Sequence, residues 1–265
     1  MFASVCFTII GRRMLFYYHS YAMRVFDHEA IVVSGSRLGE ADKILTLLTP
    51  KAGRVKAVAK GVRKTKSRFG GRLEALNHLD ISLYQGKSLY TVTSAHCIEV
   101  FPRMRASLAR LEAGLACAEA AARAVHEGQP AAPQFAHLLE ALRALDKCDP
   151  GPTFFVWFLM VLSRISGFAF HLGCCVGCGA DSQLEFLSIP DGGAVCRQCR
   201  SRYSCFKIDP QVLEVMRSAS DDAGSTAPPP DVARVATHAS IKLFEYHLED
   251  RLRSFRVVSG LGMAK

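Results

Sequence analysis

The sequence predicts an α+β protein in which a small N-terminal β-barrel precedes a helical domain. Three observations predict this class. Period-two alternation broken by turn residues recurs between residues 28 and 95, apolar residues recur at helical spacing after residue 101, and two Cys-x-x-Cys pairs lie within residues 174–205. We divide the 265 residues into a leader (1–22), a barrel domain (23–100) and a helical domain (101–265) that contains the cysteine-rich insert (174–205).

The leader is apolar but does not match a secretory signal. Arg12 and Arg13 interrupt its apolar run, whereas a signal peptide carries its charge before an unbroken apolar core. We expect the natural chain to begin at Met23, with the leader as upstream sequence or a loose tail. No run approaches the ~20 apolar residues that a membrane span needs, so we expect no membrane contact.

Five short strands are predicted in the barrel domain. Turn residues separate them, and five strands in so short a stretch indicate a closed barrel rather than an open sheet. Among small barrels, the oligonucleotide-binding (OB) fold is the one whose face and loops take single strands. The predicted strands cover residues 30–33, 44–48, 54–60, 80–84 and 89–93.

Residues 51–72 carry nine Lys and Arg side chains and no carboxylate. The charge of this stretch equals the net charge of the whole chain, +9. Cations without acidic partners cannot be packed inside a protein, so this stretch must face solvent or a polyanion. Alternation predicts a half-buried strand with Val55, Ala57 and Ala59 on its inner face, and the aperiodic part from Gly61 to Gly71 predicts a flexible loop. We interpret both as a footprint for a phosphate backbone. A solvated face is the alternative, although such faces usually mix charges of both signs.

The second half of the chain predicts a helix bundle. Helices are expected at residues 107–125, 134–145, 153–166 and 210–218, and a last one runs from a cap at Asp231 to about residue 252. The third is apolar nearly all round and is therefore the central one. Residues 220–230 read as a surface linker. Arg251, Arg253 and Arg256 could add a phosphate contact, or could simply complement the dipole of a helix end. The apolar faces are assigned to Leu108, Leu111, Leu115 and Ala118 in the first helix and to Val235, Ala239, Leu243 and Tyr246 in the last.

Two Cys-x-x-Cys knuckles with seventeen residues between them predict a structural Zn²⁺ site. Each knuckle turns two thiolates toward one ion, and four thiolates leave no coordination position for a reacting water. Cys174 could replace Cys175 in a looser spacing, and Cys205 and His171 are spare ligands. A redox-active pair would leave the second knuckle unexplained. The other cysteines are scattered, which favours a reducing cytoplasm. The predicted ligands are Cys175, Cys178, Cys196 and Cys199.

The sequence offers no recognisable active-site motif. It lacks a phosphate-binding loop, a nucleophile elbow, an HExxH pattern and paired carboxylates suited to two-metal chemistry. We therefore predict a binding protein rather than an enzyme. Two alternatives stay open, namely a zinc-ribbon enzyme that processes DNA and a zinc-ribbon DNA-binding regulator. The enzyme would cut DNA, and the regulator would prefer particular base sequences.

Four stretches of the barrel domain resemble one known family. They are GEADKILTLLTP at residues 39–50, GRV at 53–55, AKGVR at 59–63 and SRFGGRLE at 67–74. With these motifs, and with the four cysteines that some members lack, the chain from residue 23 onward resembles the RecO family of bacterial DNA repair proteins.

The resemblance implies a recombination mediator of the cytoplasm, acting at the nucleoid. Members of the family bind single- and double-stranded DNA and anneal complementary strands. They also contact the acidic C-terminal tail of single-stranded-DNA-binding protein (SSB) and act with RecR to load RecA at gaps. The residues that match the family's DNA-binding strand and loop are Arg54, Lys56, Lys60, Arg63, Lys64, Lys66, Arg68 and Arg72.

Overall fold

The computed structural model describes residues 25–219 and 228–258, with side chains to residue 255. The predicted leader, most of the predicted linker and the side chain of Arg256 lie outside these ranges. No helix within them is long and apolar enough to cross a membrane.

Five strands form a closed barrel with the strand order β1-β2-β3-β5-β4, and β4 pairs back onto β1. All pairs are antiparallel except β3 with β5, which is parallel. This confirms the predicted OB-like barrel. The strands are β1 (Val25–Leu38), β2 (Asp42–Thr49), β3 (Gly53–Ala59), β4 (His78–Gln85) and β5 (Tyr90–Glu99).

The alternation predicted for the basic strand is confirmed in β3. Val55, Ala57 and Ala59 are buried in the barrel interior, while Lys56 is exposed between them. Because successive side chains of a strand point to opposite faces, every second residue of β3 is left for the outer surface of the barrel.

The helical domain follows the barrel as predicted. Its longest apolar segment, α4, is the central helix, and the indole of Trp157 is buried there. The helices are α1 (Pro102–Arg105), α2 (Leu108–Arg123), α3 (Ala132–Lys147), α4 (Phe154–Ile165), α5 (Pro210–Ser218), α6 (Pro230–Leu248) and α7 (Arg253–Val258). Between α4 and α5 lies a small sheet of β6 (Leu184–Ser188), β7 (Gly193–Cys196) and β8 (Phe206–Lys207), in the order β7-β6-β8.

Two of the predicted helix faces are only partly confirmed. In α2, Ala118 is buried and Leu111 and Leu115 pack against the core, but Leu108 begins the helix with 72% of its surface exposed. In α6, Ala239 and Leu243 are buried, whereas Val235 and Tyr246 are exposed, and the helix ends at residue 248 rather than near 252. The fully buried side of α2 consists mostly of alanines, which permit close helix packing.

The barrel and the helical domain share one continuous core. Ile31, Val33 and Leu48 point out of the barrel and join the core of the helical domain. At the end of the β2–β3 turn, Gly53 has a φ of 63°, and the carbonyl oxygens of His126 and Gln129 lie 2.4 Å from where a Cβ would stand. Only glycine fits this approach, which holds the start of the basic strand against the helices.

Candidate nucleic-acid interface and metal centre

The basic loop between β3 and β4 is a chain of tight turns. Successive backbone hydrogen bonds close at residues 61–64, 64–67, 67–70, 69–72, 71–74 and 74–77. Phe69 and Leu73 are buried in the barrel core, and Leu76 is buried in the core of the helical domain. The loop predicted as flexible is thus built of successive turns, and three buried apolar side chains anchor it at both domains.

Three lysines provide the uncompensated charge of this surface. Lys60, Lys64 and Lys66 are exposed, and none of them forms an ion pair with any residue that the structure describes. Lysine side chains are long and lose much rotamer freedom when they are fixed, so an exposed ammonium group stays hydrated until a partner arrives. These groups can therefore contact phosphates without first breaking an internal ion pair.

The arginines of the loop bind backbone carbonyls of the protein itself. Arg63 donates to the carbonyl oxygens of Gly39 and Glu40 at 3.1 and 2.9 Å, which ties the loop to the β1–β2 turn. Arg68 donates to the carbonyl of Val92 at 3.4 Å and lies 4.7 Å from the centre of the Phe69 ring. Since a guanidinium group has five N–H donors, these contacts leave donors available for a ligand.

Arg72 and Lys56 lie at the surface of the protein. Arg72 donates to the carbonyl of Arg68 at 2.9 Å and is exposed. Lys56 lies 3.9 Å from a carboxylate oxygen of Glu127, and both side chains are more than half exposed. An ion pair this long and this exposed contributes little to stability, so a phosphate could displace it.

Arg54 occupies a different position from the other predicted contacts. Its guanidinium group donates to the carbonyl of Ala122 at 3.3 Å, and its backbone N–H donates to the carbonyl of His126. Its Nε is buried without a hydrogen-bond partner among the described residues. The side chain thus packs at the junction between the barrel and the end of α2.

The structure brings the four predicted cysteine ligands together. The sulfurs of Cys175, Cys178, Cys196 and Cys199 all lie within 4.8 Å of one another, and those of Cys178 and Cys196 are 3.7 Å apart. A tetrahedral zinc ion with Zn–S bonds of about 2.3 Å needs sulfurs roughly 3.8 Å apart. The donor set therefore fits a tetrahedral metal ion such as Zn²⁺.

Backbone amides prepare one of these sulfurs for a cation. Burial raises the pKa of Cys175, but N–H groups of Cys196, Gly177 and Cys178 point at its sulfur and lower that pKa to about 6. The neighbouring thiols of Cys178, Cys196 and Cys175 act in the opposite direction on Cys199 and raise its pKa to about 12. Four sulfurs this close cannot all lose their protons unless a cation balances the charge, and this supports a metal at their centre.

Close backbone contacts hold the metal centre to the helical domain. His171 and Gly193 pair as an isolated bridge, and the carbonyl of His171 accepts a hydrogen bond of 2.8 Å from the N–H of Ala194. A Cβ on Gly193 would stand 2.4 Å from that carbonyl oxygen. Cys174 and Cys205 are not part of the sulfur cluster, and Cys205 donates to the carbonyl of Arg200.

Comparison with known proteins assigns the chain to a family. The model described as "Recombination protein O N terminal" matches residues 23–101, and "Recombination protein O C terminal" matches residues 105–256. The chain belongs to the RecO family. It is 37% identical over 247 residues to the DNA repair protein RecO of Streptomyces coelicolor. The matched span covers 89% of this chain and 99% of that protein.

Two further RecO relatives are similar over nearly the same span. The DNA repair protein RecO of Thermobifida fusca is 36% identical over 247 residues, covering 89% of this chain and 99% of that protein. That of Frankia casuarinae is 35% identical over 237 residues, covering 88% and 97%. The chain is thus related over both its barrel and its helical domain to the RecO family of DNA repair and recombination proteins.

Proposed function

We propose that this RecO-family chain is a recombination mediator that binds single- and double-stranded DNA and anneals complementary strands. The observation that carries the proposal is the set of exposed lysines at positions 60, 64 and 66, which form no ion pair with a described residue and which an anchored loop presents at the surface of an OB-like barrel. Membership of a DNA repair family supports it.

Annealing by such a surface needs no covalent step. Two DNA backbones repel each other, and dissolved salt screens this repulsion only beyond about one Debye length. Cations that bind both backbones at once reduce the repulsion that remains at shorter distances. Lys60, Lys64 and Lys66 would bind phosphates, while Arg63 and Arg68 would hold the loop in place and offer their remaining donors. Contacts to phosphates carry no sequence information, so base-sequence preference should be low.

Zinc has a structural role in this proposal. Cys175, Cys178, Cys196 and Cys199 would hold Zn²⁺, which fixes the two knuckles and the small sheet against the helical domain. No residue of the chain is assigned a catalytic role.

The partners follow from the family alone. We infer that the chain works with RecR to load RecA onto gaps covered by SSB, that it contacts the acidic SSB tail, and that it acts in the cytoplasm at the nucleoid.

The test is annealing of two complementary labelled oligonucleotides, with and without the protein, in magnesium and without nucleotide. The proposal predicts faster pairing with both strands intact. A variant with Lys60, Lys64 and Lys66 changed to Ala should lose this effect. A variant with Lys147, Lys207 and Lys242 changed to Ala is its matched control, because these exposed lysines lie on other elements and their loss changes the net charge by the same amount. Binding without faster pairing would contradict the mediator in favour of a passive DNA-binding module, and shortened strands would show an enzyme.

A further inference from the structure

A groove of about 320 Å³, which we call the α5 groove, lies where the cysteine-rich insert meets α5. Its floor is made of three leucines, of which Leu172 and Leu213 are buried and Leu184 is half-buried. They come from the segment after α4, from α5 and from β6, respectively. The volume lies at the lower end of the range for ligand pockets, roughly 300–1,000 Å³, so the groove suits a short segment rather than a large ligand.

Carboxylates give the α5 groove a negative sign. Asp181, Glu185 and Glu214 line it beside Arg217, so three carboxylates and one guanidinium leave a net charge of −2 in a chain whose net charge is +9. Glu214 pairs with Arg217, whereas Asp181 and Glu185 form no ion pair with a residue that the structure describes. Because like charges repel across an interface, this groove disfavours both a nucleic-acid backbone and an acidic peptide.

These carboxylates do not form a compact metal site. Among the described residues, only the four cysteines bring three or more potential ligand atoms within 4.8 Å of one another. A divalent cation bound by carboxylates needs oxygens at about 2.0–2.6 Å from one centre, and hence close together. Separated charges above an apolar floor instead suit an extended ligand that carries cations and aliphatic groups at intervals.

Gly173 leaves room for the main chain of such a ligand. It is exposed at the groove, and a Cβ there would meet only the Cδ atom of Arg217 within 4 Å, at 3.9 Å. Its backbone N–H and C=O form no hydrogen bond with any residue that the structure describes. A glycine allows another backbone to approach closely, so these two groups can pair with a peptide.

We propose that the α5 groove is a docking site for a basic, aliphatic peptide segment of a partner protein. Asp181 and Glu185 bind its Lys or Arg side chains, and the leucine floor receives an aliphatic side chain between them. Charge complementarity selects this occupant, and burial of an aliphatic group adds a contribution that a small polyamine would not provide. The inference goes beyond the proposed function, because it adds a protein partner whose charge is opposite to that of DNA.

The test follows binding of a fluorescein-labelled hexapeptide of alternating leucine and lysine to the full chain by fluorescence anisotropy. The groove variant, Asp181→Asn with Glu185→Gln, should bind roughly fivefold more weakly, because two surface ion pairs are lost. The matched control is Asp80→Asn with Glu249→Gln, which changes the net charge by the same amount at exposed residues outside the groove. It should bind the peptide as tightly as the wild type.

Gly173→Leu tests the groove without a change of charge. Its side chain would extend into space that is open in the structure, so the chain should fold normally while binding of the peptide is abolished. Circular dichroism of each variant confirms that the chain is folded.

Three results would overturn the inference. The first is a wild-type chain that does not bind the peptide. The second is a groove variant that binds as tightly as the wild type, or no more weakly than the control, since general attraction to acidic residues would then explain the binding. The third is a folded Gly173→Leu variant with the wild-type affinity.

Discussion

At the scale of single residues, charge alone did not determine which cations are available to a ligand. The eight predicted contacts look equivalent in the sequence, yet the structure divides them. Lys60, Lys64 and Lys66 are exposed and form no ion pair with a described residue, while Arg63 binds carbonyls of the β1–β2 turn and Arg68 binds a carbonyl of β5. Those carbonyls become neighbours only when the barrel closes, so local sequence patterns could not identify the division.

A substitution at Arg54 tests whether this residue stabilises the fold or binds DNA. Arg54→Ala should lower the free energy of unfolding by about 1–2 kcal/mol, because it removes a hydrogen bond and a packed aliphatic stem at the domain junction. The slope of DNA affinity against salt should stay close to that of the wild type. Urea unfolding and binding titrations at several salt concentrations measure the two effects.

Lys64→Ala is the matched control for this prediction. It should leave stability unchanged within about 0.5 kcal/mol, as for most surface substitutions. It should reduce the single-strand salt slope by about 0.7. If Arg54→Ala flattened the slope as much as Lys64→Ala while leaving stability intact, Arg54 would be a DNA contact and not a junction residue.

At the scale of elements, regular hydrophobic periodicity predicted strands and helices well, whereas segments without a clear period were predicted less well. The alternation of β3 was confirmed, and the helix predicted at residues 134–145 lies within α3. The buried faces of α2 and α6 were only partly predicted, because both helices also bury small residues that carry little hydrophobic signal. The loop was predicted as flexible because Phe69 and Leu73 have no local period.

The four-cysteine cluster is the element that the sequence predicted most completely. The spacing of the cysteines identified all four sulfurs that the structure brings together, since a Cys-x-x-Cys turn is a local device. What the spacing could not give is the attachment of this centre to the helical domain through His171 and Gly193, because that contact joins residues that are distant in the chain.

Cys196→Ser tests whether the metal centre is structural. The variant should lose bound zinc and show a thermal midpoint lower by several degrees, because metal binding and local folding are coupled. The salt slope of DNA binding should be retained. Metal analysis by mass spectrometry and thermal unfolding provide the readouts.

Cys174→Ser is the control for that variant, because Cys174 is exposed, is next to Cys175 and lies outside the sulfur cluster. It should keep both zinc and stability. A Cys196→Ser protein that retained full zinc content and an unchanged midpoint would contradict the assignment of the four ligands.

At the scale of the whole molecule, the chain separates two tasks. The barrel presents the basic loop, and the helical domain supports the barrel through the shared core around Ile31 and Leu48. The metal centre lies in the helical domain between α4 and α5, and its residues contribute no part of the basic surface. DNA binding and metal binding should therefore be separable by mutation, although both depend on a folded chain.

The central claim is that exposed lysines of the barrel bind DNA phosphates, and the salt dependence of single-strand affinity tests it most directly. Changing Lys60, Lys64 and Lys66 to Ala together should flatten the slope by about 2, which is three contacts at about 0.7 each, equally for all base sequences. The variant with Lys147, Lys207 and Lys242 changed to Ala should keep the wild-type slope. Equal slopes for wild type and the first variant, or equal losses in both variants, would contradict the claim.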